Sequence, residues 1–276
     1  MRPLPQPLGK FFADRGPHLA AMIAYFALLS FVPLLFLTVS LLSLAGRPDE
    51  SSYLVTELKR AFPGSSVSSI VHTVRDVQKH ATALGVIGGA ALLWTSLSLF
   101  SVLESAFNIV YGQPNRSFLR GKLLAVGLML LSLVTLFVGL LIGSFGFDLL
   151  KRYAGGVAEN SYVAYGLSVV VSLIAVFVFL VAVYYLLTNV EHSFTDVLPG
   201  AVVAAVVLEA SFQVLPVYVR FSNNVVALKA FGGPALLLVW LYVMSNVIVF
   251  GAEVNWWIAR GRREARETQE AAAGLA

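Results

Sequence analysis

The sequence predicts an all-α, polytopic membrane protein with six transmembrane helices, on three observations. Of 276 residues, 58% are hydrophobic and only 12% are charged. The mean hydropathy is +0.81, far above that of a soluble domain of this size. Apolar runs of about 20 residues, enough to cross a hydrocarbon core of about 30 Å, occur near 21–44, 83–107, 122–147, 162–187, 197–219 and 234–259.

The elements follow in order. In the N-terminal segment 1–20, Leu8, Phe11 and Phe12 beside Lys10 and Arg15 suggest a brief interfacial helix that leads to Gly16-Pro17 and the first span. That span is too long for the apolar region of a cleaved signal peptide, and Pro33 interrupts it, so it reads as a retained, kinked helix. The loop 46–82 carries Leu54, Leu58 and Phe62 every fourth residue, a Pro63-Gly64 break, then Val67, Ile70, Val71, Val74 and Val77 at spacings of mainly three and four. This pattern predicts two short amphipathic helices on the outer membrane surface, capping the bundle or forming a docking platform or lid. The transmembrane domain spans 21–259, and 260–276 reads as a charged, frayed tail.

Orientation rests on Lys and Arg near the spans. With six spans both termini share a side. That side holds ten basic residues and the other nine, so the count is nearly neutral. The clusters at the termini flank short tails, whereas Arg47, Lys59, Arg60, Arg75 and Lys79 are diluted over the long loop. Both termini are therefore expected in the cytoplasm. The pI of about 9.4 then reflects basic residues facing anionic headgroups of membrane lipids. Nothing gathers them with aromatics into a nucleic-acid groove. Cysteine is absent, which excludes disulfides and thiol chemistry.

Within the spans sit polar residues that need an explanation. Glu104 and Asn108 are four apart in the second span, Glu209 and Gln213 are four apart in the fifth, and Asn246, Glu253 and Asn255 occupy the sixth. The spacings of four and seven put their members on one helical face. The stripe in the fifth span continues through a kink at Pro216 to Arg220. An Asp, Lys or Arg at the centre of a span costs about 2.5 to 3.5 kcal/mol on insertion scales, so such groups face the bundle interior and pair, or meet water. Glutamate behaves similarly and can also take up a proton. The expectation is a polar interior serving a substrate or proton pathway, lined by the second, fifth and sixth spans.

A blander reading stands beside this one. Interhelical hydrogen bonds also act as glue, worth about 0.6 kcal/mol on average, and Gln213 and Asn255 suit that role. Three carboxylates suit it less well. Gly85, Gly88, Gly89 and Ala90 in the second span and Gly200, Ala201, Ala204 and Ala205 in the fifth allow close helix packing, within one subunit or in a homo-oligomer alike.

Several blocks also carry a resemblance. AAMIAYFALLSFVPLL (20–35), WTSLSLFSVLESAFNIVYG (94–112), and DVLPGAVVAAVVLEASFQVLPVYVRFSNN with GGPALLLVWLYVMSNVIVFGAEVNWWIA (196–259) resemble the YihY/BrkB family of bacterial membrane proteins. The resemblance implies a six-span inner-membrane protein from a family some of whose members were once labelled ribonuclease BN, and of which one subgroup is linked with virulence and serum resistance. Export or flipping of lipid-like molecules is among the activities proposed for it. The residues that match the family pattern are Tyr25, Pro33, Trp94, Glu104, Asn108, Pro199, Gly200, Glu209, Ser222, Asn223, Gly251, Glu253 and Asn255. The chain departs from that pattern after RFSN, where it has LKAFGG, which leaves the 225–233 loop without an implied role.

A nuclease needs clustered metal ligands in water and a phosphate-binding surface. His18, His72, His80 and His192 are scattered, and Glu191, His192 and Asp196 in VEHSFTD read as a solvated turn. No metal site, cofactor or enzymatic activity is expected. Two functions remain. One is a secondary transporter or flippase of an amphipathic, lipid-like substrate, with protonation of Glu209 or its neighbours biasing the opening. The other is a non-transporting scaffold that binds partner proteins or anionic lipids.

Overall fold

The computed structural model describes residues 6–44, 81–132, 134, 161–190, 193–222 and 226–273. Among them every regular element is helical: α1 (Pro7–Ala13), α2 (Gly16–Leu44), α3 (Ala81–Tyr111), α4 (118–132), α5 (Ser161–Leu187), α6 (Phe194–Ser222) and α7 (Val226–Ala273). Four helical segments are long and apolar enough to cross a membrane: Gly89–Tyr111, Val169–Leu187, Phe194–Val214 and Ala235–Ala271. A shorter apolar segment covers Gly16–Phe31. This arrangement is compatible with six spans. The amphipathic helices expected between 46 and 82 fall on 45–80, outside the described residues, as does the part of the third span from 135 onward.

α1 opens with Pro7 at its first position, where a missing N–H costs nothing. It turns into α2 through Arg15, whose φ of 57° is left-handed. Gly16 follows without a side chain because Phe11 packs into the space that a Cβ would fill. Phe11 is buried and meets Phe250 edge-on at 6.0 Å, while Phe12 and Leu8 stay exposed. The segment expected merely to lie at the interface is thus docked into the bundle. Pro33 sits inside α2, which continues through it.

α3 packs along α2, α6 along α7, α7 along α2, and α5 along α6. The pairs Lys10–Glu253, Arg116–Leu187 and Arg262–Asp196 bring α1, the end of α3, the start of α4, the end of α5, the start of α6 and the 253–262 region of α7 to one end of the bundle. The frayed tail expected from 260 is instead helix through Ala273. REARETQEAAA is rich in strong helix formers, and Arg260 pairs with Glu264 four residues on.

α6 and α7 touch backbone to backbone. A Cβ on Gly200 would overlap the Gly251 carbonyl oxygen, and a Cβ on Gly251 would overlap the Tyr184 hydroxyl and lie 3.0 Å from Ala204 Cβ. Through this gap the Tyr184 hydroxyl reaches from α5 to donate to the Ile248 carbonyl at 2.7 Å. Ala201, Ala204 and Ala205 are buried along the same face, so the small-residue stripe expected in the fifth span serves packing within the chain. Gly251→Ala is expected to destabilise the solubilised protein by about 1–3 kcal/mol through overpacking. Gly261→Ala, where a Cβ meets nothing within 4 Å, should instead be neutral or stabilising by up to about 1 kcal/mol. Thermal unfolding followed by tryptophan fluorescence distinguishes them, and equal midpoints for the two variants would refute the close contact.

Candidate functional site

Glu104 and Asn108 lie one turn apart near the end of α3 and are buried. α3 closes in a Schellman turn: Gln113 N–H donates to the Asn108 carbonyl at 2.7 Å, Gly112 N–H donates to the Ile109 carbonyl at 3.1 Å, and Gly112 takes φ 65°. The chain then runs back past both side chains. Glu104 Oε1 accepts from Arg116 N–H at 3.1 Å and forms an ion pair with its guanidinium at 3.5 Å. The same guanidinium donates to the carbonyls of Leu187 (2.6 Å) and Thr188 (2.8 Å), capping the C-terminus of α5. Asn108 Oδ1 accepts from Asn189 N–H at 2.9 Å, and its amide donates to Asn115 Oδ1 at 3.0 Å. Glu104 and Asn108 thus tie the α3–α4 connection to the end of α5.

Glu253 is fully buried on α7, and Lys10 of α1 reaches it with Nζ at 3.1 Å from Oε2. The ammonium also donates to the Val110 carbonyl at 2.7 Å, pairs with Asp14, and lies 4.4 Å from the Trp256 ring centre. The contact to Glu253 is an ion pair without hydrogen-bond alignment, and neither carboxylate oxygen has a well-formed hydrogen bond among the described residues. Lys10 was read from sequence as an interfacial cation. A lone lysine among the apolar residues of PLGKFFA is the signal in the sequence that points to an inward partner.

Glu209 is buried on α6, where Oε2 accepts from the Ser172 hydroxyl of α5 at 2.7 Å and Oε1 accepts from the Gln213 amide at 2.8 Å. Asn255 Oδ1 accepts from Gly200 N–H at 2.6 Å, cross-linking α6 and α7, while its Nδ2 lacks a partner among the described residues. Half-buried Asn246 donates to the Tyr242 carbonyl of its own helix at 2.7 Å. The side chains of Pro216 and Arg220 lie outside the described residues. Among the described residues the three glutamates have separate partner sets: Glu104 answers Arg116, Glu253 answers Lys10, and Glu209 answers Ser172 and Gln213.

A cavity of about 900 Å³ opens at the same end of the bundle, lined by Arg116, Thr188, Ser193 and Asp196 together with Arg262, Arg263 and Arg266 of α7, and with Tyr185, Leu186, Val190, Thr195 and Ala259 between them. Arg262 pairs with Asp196 at 3.0 Å. Asp196 also accepts from Ser193 N–H at 3.1 Å, half of a capping box at the start of α6. The turn read as solvated is therefore ordered by Asp196 and forms part of a wall, while Glu191 and His192 lie outside the described residues. Among those residues no group of three or more His, Asp or Glu could hold a metal ion. Sequence reasoning missed the cavity because its arginines come from the 113–117 connection and from what read as a tail.

Removing Lys10 strands a buried carboxylate, so Lys10→Met is expected to cost about 3–5 kcal/mol. The double variant Lys10→Met/Glu253→Gln should recover most of that loss. The midpoints of thermal unfolding of the single and double variants check it, and additive losses would show that the pair is not coupled.

A family model described as Virulence factor BrkB matches residues 8–275. Among curated relatives, the "Putative ribonuclease-like protein YfkH" of Bacillus subtilis (strain 168) is 26% identical over 257 residues, covering 89% of this chain and 91% of that one. A "UPF0761 membrane protein" of Chromohalobacter salexigens is 28% identical over 268 residues, covering 95% of this chain and 64% of the relative. One of Azotobacter vinelandii is 24% identical over 265 residues, with 92% and 62% covered. The chain thus spans somewhat under two thirds of the length of these UPF0761 relatives. No solved structure matches. The family match over residues 8–275 shows that this chain is a membrane protein of the BrkB family.

Proposed function

We propose that this protein is a secondary transporter or flippase of an amphipathic, lipid-like molecule in the bacterial inner membrane, with both termini cytoplasmic. The observation that carries this reading is Glu209. Its carboxylate is buried in an apolar helix, and its hydrogen-bond partners, Ser172 and Gln213, are neutral. A helix pair that needed only adhesion would obtain it from amides and hydroxyls without the insertion penalty of an ionisable group. A carboxylate held by neutral groups changes charge by gaining or losing one proton, with no ion pair to break. Protonation of Glu209 would then shift the α5–α6 contact and couple transport to the proton gradient.

A second reading, a non-transporting scaffold that binds anionic lipids or partner proteins, draws on Glu104 and Asn108, whose partners stitch a connection in place rather than line a path.

In proteoliposomes with a fluorescent phospholipid in one leaflet, the wild-type chain is expected to speed transfer to the other leaflet, and Glu209→Gln to return it to the lipid-only rate while remaining folded. Full activity of Glu209→Gln at every pH would refute the proton-linked version. No acceleration by the wild type with any labelled lipid would leave the scaffold reading in its place.

A further inference from the structure

We infer that the arginine-lined cavity is a binding site for a phosphate-type anion presented at the membrane boundary. It goes beyond the transport reading and does not depend on it, since a protein that merely anchors lipid would use the same site.

Charge is the first argument. Four arginines and one carboxylate line the cavity. Asp196 engages Arg262, and Glu104, behind the wall, engages Arg116. Arg266 has no ion-pair partner among the described residues. Gathering guanidinium groups around one space costs repulsion that a di- or monoanion relieves. The planar guanidinium fork also suits phosphate oxygens, which it can bind in pairs.

Preorganisation is the second. The guanidinium of Arg116 is fixed by two carbonyls and a carboxylate, which consume part of its five donors and hold the rest in place. By capping the Leu187 and Thr188 carbonyls, Arg116 also masks the negative end of α5 beside the cavity. The first turn of α6, from Ser193 to Asp196, contributes the positive end of a 29-residue helix to the same wall.

Depth and size are the third. Trp257 is partly exposed just before Ala259 on α7, and Phe118, Phe194 and Tyr185 are exposed at the same end of the bundle. Such a belt marks the level of lipid headgroups. The volume of about 900 Å³ is at the upper end for a small-molecule site and far exceeds a bare phosphate ion. Tyr185 and Leu186 belong to both the lining and the exposed apolar surface of α5, so a headgroup in the cavity can keep its acyl chains against that helix.

The test uses the full chain in neutral detergent and follows thermal unfolding while either phosphatidylglycerol or phosphatidylcholine in mixed micelles, or inorganic phosphate, is added. Phosphatidylglycerol is expected to raise the midpoint well above phosphatidylcholine. The variant Arg263→Gln/Arg266→Gln should weaken the apparent affinity by about tenfold or more. Arg120→Gln/Arg260→Gln, which removes the same charge at the same end but outside the lining, should keep the wild-type response. A response to inorganic phosphate that the lining variant alone loses would support the site and assign it to a soluble anion. A response equal in all three proteins, or none to either anion, would overturn the inference.

Discussion

The contact between Gly200 and Gly251 is the constraint on which much of the described bundle depends. Because neither residue carries a side chain, the backbones of α6 and α7 meet, and two polar side chains reach across the crossing. Asn255 reaches Gly200 N–H, and Tyr184 reaches the Ile248 carbonyl from the neighbouring helix. Between these two contacts along α7 lies Glu253, at the depth where Lys10 of α1 comes within 3.1 Å. Packing and polar chemistry are therefore one arrangement here. A methyl group at either glycine would displace a hydrogen bond as well as a helix.

The bilayer gives that arrangement its form. Hydrocarbon offers no water to a polar side chain or a helix end, so each must find its partner in the protein. Arg116 answers a buried carboxylate and two C-terminal carbonyls at once, and Lys10 answers a carboxylate, a carbonyl and an aromatic face. Both cations come from outside the apolar runs, one from a connection and one from the short N-terminal helix. The bundle thus meets Glu104 and Glu253 with charges from its own margin, while Glu209, deeper on α6, is met among the described residues by neutral groups.

That difference separates the three carboxylates by role. Two stabilise the end of the bundle where the connections gather, and the third is hydrogen-bonded across to α5 by Ser172 and along α6 by Gln213. Next to the first two, arginines from two parts of the chain, the α3–α4 connection and the end of α7, converge on one cavity. Among the described residues the charged groups therefore gather at one end of the bundle rather than along its interior.

The class of protein was legible in the sequence alone, because crossing hydrocarbon demands long apolar runs and composition reports them directly. The residues worth asking about, Glu104, Asn108, Glu209, Glu253 and Asn255, were legible because a polar group in an apolar run stands out. Helical spacing also placed these residues on shared faces correctly enough to pair Glu209 with Gln213. What spacing cannot report is which face meets which. Lys10 and Glu253 lie near opposite ends of the chain, Arg116 caps a helix that ends 71 residues later, and Arg262 meets Asp196 across 66. Those encounters follow from how the helices pack, and packing depended on small residues at single crossing points. Only the tertiary structure decided that the three glutamates expected around one polar interior serve different partners, and that arginines from a connection and a tail face the same space.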